Sequence, residues 1–354
     1  MIFCSNCFRD TEIKALIQSN SMIGNCPTCK SEEQFLYDTE SDEYLNGIFD
    51  KLILIYSPEK DEGKFIKNEL LESWDIFAEI EPDHVYEIIK NISKELYFDS
   101  PELFEDKVIN THLHDFEYLK HNSMLQGKSW HSFVQSLKHE NRFHTKDFNT
   151  EILEVFCTYI RKVYKVGQKF YRGRISPKIG YQPCDMSAPP IPLTLDGRAN
   201  STGIRRLYLS NDLVTTLYEV RAGAFDFVTV GEFVLKKDIV VVDLEIINKI
   251  SPFIDGLDCA QYYVNKELLN RINTEMGRPL RRGDSNLDYL PTQYITDFIQ
   301  SLMKDDGHEY SGVEYKSAMN AKGFNLAIFD PDLFECIETH VYQIDDLLYE
   351  TTLL

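Results

Sequence analysis

An α+β protein in three parts is the fold class this sequence predicts, and three observations predict it. Four cysteines fall in two Cys-x-x-Cys pairs within the first 29 residues. The middle of the chain repeats apolar residues at the 3.6-residue period of amphipathic helices. After Lys165 the pattern changes to short β-branched runs set between turn residues and a few helical stretches. The parts are expected at residues 1–36, 37–164 and 165–354. They read as a small cysteine-built element, a mostly helical interaction or regulatory domain, and a compact α+β domain. No Gly-x-Gly-x-x-Gly occurs, so a doubly wound dinucleotide-binding sheet has no support.

Composition agrees with several folded parts. A chain of 354 residues exceeds one typical domain, and 43% hydrophobic residues suffice for a sizeable core. No run of eighteen or more apolar residues occurs, so no membrane-spanning helix is expected. The first ten residues, MIFCSNCFRD, lack the basic and apolar regions of a signal peptide, and a cytoplasmic location is expected. The formal net charge of −20 repels phosphate backbones and disfavours nucleic acid as a partner.

Taken in order, Cys4-x-x-Cys7 and Cys26-x-x-Cys29 stand eighteen residues apart. Each pair places two thiolates on a tight turn, and two such turns complete a tetrahedral zinc site in a ribbon-like element. Four protein ligands close the site, which makes Zn2+ structural. The alternative is a set of free or redox-active thiols. Cys157, Cys184, Cys259 and Cys336 read as packing residues or bystanders. Residues 31–44 hold six acids and no base, the composition of a solvated linker. Pro82 opens a helix with Val85, Ile88, Ile89, Ile92 and Leu96 on one face. Thr150 is expected to cap another, with face Leu153, Phe156, Ile160 and Val163. His112, His114, His121, His131, His139 and His144 lie between them. No His-Glu-x-x-His occurs, and no arginine precedes a histidine by the spacing of the helical HEPN ribonucleases, so they read as surface positions. Strands are expected at Lys169–Ile175, Arg206–Ser210, Phe227–Leu235, Asp238–Leu244, 312–317 and 325–329, with a helix from Tyr289. The segment 246–287, which includes Arg281, Arg282 and Gly283, reads as polar and variable.

The centre of the last part is Gly197 to Val220. A turn carries Arg198, a strand carries Tyr208, and a helix opening at Asn211 or Asp212 carries Glu219. The three side chains are ten and eleven residues apart on consecutive elements, so packing of those elements could bring them to one cleft. Locally, a surface Arg, a half-buried strand Tyr and a solvated helix Glu would fit equally well.

Six pieces tip that balance: Phe170-Tyr-Arg172, Gly197-Arg198, Leu207-Tyr208-Leu209, Leu217-Tyr-Glu219-Val220, Tyr289-Leu-Pro-Thr-Gln293 and Tyr315-Lys-Ser317. In order and spacing, residues from about 168 to 345 resemble the RES domain of bacterial toxin–antitoxin pairs. The resemblance implies an ADP-ribosyltransferase-like fold and cleavage of NAD+ at the nicotinamide–ribose bond, by water or inorganic phosphate. It implies that Arg198, Tyr208 and Glu219 carry the site, with Ser317 nearby. Family toxins are usually shorter, and the preceding parts resemble N-terminal extensions, helical HEPN/RES-type regions among them, attached to some RES domains.

The residue types suit that chemistry. A guanidinium grips a pyrophosphate with two parallel hydrogen bonds, and Arg172 and Arg198 are placed to do so. Glu219 can stabilise a cationic ribose, and Tyr208 offers a ring face and a hydroxyl. Ser317 can donate to the substrate; no base beside it marks it as a nucleophile. Arg172 could instead pair with a core acid, and Ser317 could be a turn cap. The expected partners are NAD+, an antitoxin protein or restraint by the helical region, and a second copy of the chain. Transfer of ADP-ribose to a macromolecule, or an inactive zinc-anchored adaptor, are the alternatives.

Overall fold

The computed structural model describes residues 1–278, 285–304 and 307–347. The segment containing Arg281, Arg282 and Gly283 lies outside them. The chain divides into two compact units, Met1–Ser123 with Lys249–Lys266, and Met124–Asn248 with Glu267–Leu354. Among the described residues no helix is long and apolar enough to cross a membrane.

In the first unit, Ile2–Cys4, Gln34–Asp38 and Ile23–Gly24 form a three-stranded antiparallel sheet. The middle strand lies within the stretch read as a linker. Its acids flank a Phe35-Leu36-Tyr37 core whose Leu36 and Tyr37 are buried, and Tyr37 stacks on Phe3 at 5.2 Å. Burial of that apolar triplet outweighs the solvation of its charged neighbours. The helix Pro82–Ile92 buries Val85, Ile88, Ile89 and Ile92. Leu96 falls on a separate short helix, Lys94–Asp99, because Ser93 interrupts the run.

The second unit is built on an eight-stranded sheet. Its order is Phe334–Gln343, Phe227–Leu235, Lys169–Ser176, Leu207–Ser210, Phe324–Ile328, Gly312–Lys316, Ile239–Asp243 and Arg161–Tyr164. All neighbours are antiparallel except Ile239–Asp243 and Gly312–Lys316. The helix Thr150–Tyr159 is capped by the Asn149 side chain, which accepts from the Glu151 N–H at 3.0 Å, rather than by Thr150. It stops before Ile160, and Val163 belongs to an edge strand with its side chain exposed. The β-branched and aromatic residues of Arg161–Tyr164 pair with Ile239–Asp243 instead of extending the helix.

The segment 246–287 contains a long helix, Cys259–Gly277. Its buried stripe is Tyr262, Asn265, Leu269, Ile272 and Met276, spaced alternately three and four residues apart. The polar Asn265 within the stripe and the polar residues around it hide the period in the sequence.

Candidate functional site

The central cleft forms where the sheet splits. Lys169–Ser176 and Leu207–Ser210 are joined by a single register pair, Tyr171 with Ser210. Beyond it the strands part, and Arg172 Nη1 donates to the Tyr208 carbonyl at 3.2 Å where a ladder bond would otherwise lie. The opening is a cleft of about 430 Å3 whose lining includes Arg172, Arg198, Tyr208 and Glu219. The three consecutive elements singled out in the sequence therefore converge.

Strand alternation and register place the wall. Leu207 and Leu209 point into the hydrophobic core, so Tyr208 between them faces the cleft. Ser210 lies opposite Asn325, and Asn325 opposite Tyr315, which aligns three polar side chains on one face. The helix Leu213–Glu219 starts at Asp212, whose carboxylate accepts from the Thr215 N–H at 2.8 Å, and it delivers Glu219 in its last turn. Gly173 lets this helix approach the sheet. A Cβ there would stand 2.7 Å from Val220 Cγ1 and 3.0 Å from Thr216 Cγ2.

Glu219 is oriented through one oxygen. Its Oε1 accepts from Ser317 Oγ at 2.5 Å and from Asn325 Nδ2 at 2.8 Å. Ser210 Oγ in turn donates to Asn325 Oδ1 at 2.7 Å, which sets the amide orientation. The second Glu219 oxygen has no hydrogen bond among the described residues. Ser317 also accepts from the Met319 and Asn320 N–H groups, each at 3.2 Å. It is thus a turn cap and a holder of Glu219 together.

Arg172 pairs with no carboxylate among the described residues. Its Nε is buried without a hydrogen-bond partner. Burial, reinforced by Arg174, brings the guanidinium down to about 10, which leaves it charged at neutral pH. An enclosed guanidinium Nε with no acceptor is costly unless an anion reaches it.

Arg198 sits on a turn held from several sides. Gln293 Nε2 donates to the Gly197 carbonyl at 2.9 Å and to that of Asn200 at 2.8 Å, and Thr292 Oγ1 donates to that of Arg198 at 2.8 Å. The buried Arg206 donates from Nε to the Ala199 carbonyl at 3.1 Å. Tyr208 closes the turn: its hydroxyl donates to Asn200 Oδ1 at 2.7 Å and accepts from the Ala199 N–H at 3.0 Å. Gly197 allows that closeness, since a Cβ would stand 2.8 Å from the Tyr208 hydroxyl. Burial pushes this hydroxyl up to about 12. The Arg198 guanidinium lies 5.5 Å from the centre of the Tyr315 ring and donates to the Arg278 carbonyl at 2.6 Å. Asn325, Asn200 and Arg206 were not singled out in the sequence, because only strand register and tertiary packing reveal their partners.

The cysteines form a second site. Cys4 ends the Ile2–Cys4 strand, and Cys7 ends the short turn of helix after it. The sulfurs of Cys4, Cys7, Cys26 and Cys29 all lie within 4.8 Å of one another. Individual separations are 4.0 Å for Cys4–Cys7, 3.4 Å for Cys4–Cys29 and 3.7 Å for Cys7–Cys26. A tetrahedral ion bound at about 2.3 Å sets sulfurs about 3.8 Å apart, so the group can hold a metal. Burial pushes the Cys4 thiol up to about 12, and a divalent cation would supply the charge that four adjacent thiolates require.

Compared with known proteins, neither a curated protein nor a solved structure matches this chain. The family model for the RES domain matches residues 172–349, half of the 354 residues. That span contains both walls of the split sheet, the Arg198 turn and the Glu219 helix, and the chain belongs to the RES domain family.

Proposed function

We propose that this chain cleaves NAD+ at the nicotinamide–ribose bond, with water or inorganic phosphate as acceptor, and acts as a toxin or defence effector. The observation that carries the reading is a half-buried Arg172, its Nε enclosed without a partner, in the same cleft as a carboxylate with one oxygen left free. The first suits a pyrophosphate and the second a cationic ribose.

In this reading Arg172 and Arg198 bind the pyrophosphate. Bond cleavage develops positive charge on the ribose, and Glu219 stabilises it while its free oxygen takes a ribose hydroxyl. Tyr208 contributes its ring face and holds the Arg198 turn through its hydroxyl. Ser317 is a positioning residue that acts through Glu219. Ser317→Ala removes one of two bonds to that carboxylate. The expected loss in kcat is about tenfold, with KM little changed and Ser317→Thr partly restoring the rate.

Zn2+ is the metal proposed for Cys4, Cys7, Cys26 and Cys29, in a closed structural role. An enzyme that consumes NAD+ also needs restraint in its host, and an antitoxin protein or the chain's own helical region is proposed to supply it. Products distinguish the chemistries. With NAD+ alone, nicotinamide and ADP-ribose are expected; with phosphate as acceptor, phosphorylated ADP-ribose replaces the latter. ADP-ribose attached to protein would favour transfer to a macromolecule. Intact NAD+ would leave the adaptor.

A further inference from the structure

A second cavity, of about 330 Å3, lies within the second unit along the helix Leu290–Ser301, behind the turn that carries Arg198. That volume falls in the range of small-molecule sites. Three kinds of group line it. Phe143, Tyr294 and Phe298 supply aromatic surface, and Phe143 is 82% exposed, with a ring face open to a ligand. Arg142 has no carboxylate or hydrogen-bond partner among the described residues. Asp297 accepts from Arg206 Nη2 through one oxygen at 3.3 Å, and its other oxygen has no partner among the described residues.

Apart from the Tyr294 hydroxyl, the remaining polar wall is already satisfied. Gln293 Oε1 accepts from Ser201 Oγ at 3.2 Å, and its amide nitrogen holds the Gly197 and Asn200 carbonyls. Recognition therefore falls to a flat aromatic surface, one cation and one acceptor. An apolar ligand would strand Arg142 and Asp297 against it, and an aliphatic anion would leave the aromatic wall unused.

We infer that this cavity binds a free purine mononucleotide. The base stacks on Phe143, a base N–H donates to Asp297, and the phosphate pairs with Arg142. The site is separate from the cleft between the parted strands; the two share neither Arg172 nor Glu219.

The test is calorimetric titration of the full chain with AMP, beside ribose 5-phosphate and benzoate. AMP is expected to bind. Arg142→Gln weakens it about tenfold, the value of a charge-assisted hydrogen bond, and Phe143→Ala at least about fivefold. Arg172→Gln leaves this binding unchanged. Ribose 5-phosphate lacks the base and benzoate lacks the donor, so both bind at least about tenfold more weakly. A melting curve shows each variant folded. Absence of AMP binding to the folded chain overturns the inference. So does AMP binding that survives Arg142→Gln and Phe143→Ala but is lost in Arg172→Gln, which would put AMP in the NAD+ cleft. Benzoate binding as tightly as AMP overturns the purine assignment.

Discussion

Glu219→Gln is expected to lower nicotinamide release from NAD+ by about 100-fold or more, about 2.7 kcal/mol of transition-state stabilisation. The substitution keeps the shape of the side chain and an oxygen that can accept from Ser317 and Asn325. It removes the negative charge alone. In the proposed reaction that charge matters chiefly once the ribose becomes cationic, so NAD+ affinity changes little while turnover collapses. Arg198→Lys behaves differently. It keeps the charge but loses the two-pronged grip, and weaker ground-state binding is expected. Nicotinamide release measured beside calorimetric NAD+ binding separates the two effects. A folded Glu219→Gln variant with near wild-type turnover would remove Glu219 from the mechanism.

The second large effect concerns the cysteines. About one zinc per chain is expected by elemental analysis of protein never exposed to chelator. Cys26→Ser leaves three thiols around a position that needs four, and the sheet of Ile2–Cys4, Ile23–Gly24 and Gln34–Asp38 is too small to stand without the ion. The expected outcome is loss of zinc and of the protection of that sheet in hydrogen exchange. The eight-stranded sheet retains its protection. Zinc-free protein with an unchanged exchange pattern would show that the four thiols need no metal.

Local signals carried far in this chain. The Cys-x-x-Cys pairs, the strand ending at Ser210 and a helix start at Asn211 or Asp212 were all legible because each depends on residues close in sequence. What stayed hidden depends on pairing. Ser210, Asn325 and Tyr315 come together only through strand register across three strands. Tyr208 was read for a ring face and a hydroxyl toward the substrate, yet that hydroxyl fastens the Arg198 turn to Asn200, a contact no spacing rule contains. Gln293 belonged to one of the matching pieces, but its hold on Gly197 and Asn200 appears only with the helix Leu290–Ser301 in place. The helix Cys259–Gly277 escaped because Asn265 interrupts its apolar stripe, and the strand Gln34–Asp38 because acids flank its short apolar centre.

Ser317 shows why two readings of one residue need not compete. As a cap it accepts two backbone N–H groups, and the same hydroxyl then has its proton directed at Glu219. Arg172 differs. No carboxylate pairs with it among the described residues, and its enclosed, unpartnered Nε is what the proposed grip on a pyrophosphate rests on.

The central claim is that the cleft between the parted strands breaks the nicotinamide–ribose bond. The most direct measurement is chromatographic: NAD+ and nicotinamide followed over time with the purified full-length chain, with the Glu219→Gln variant run in parallel. The expected result is one nicotinamide released per NAD+ lost, many turnovers per chain, and a rate about 100-fold lower in the variant. NAD+ that remains intact with folded, zinc-loaded protein, in both the presence and the absence of phosphate, would contradict it.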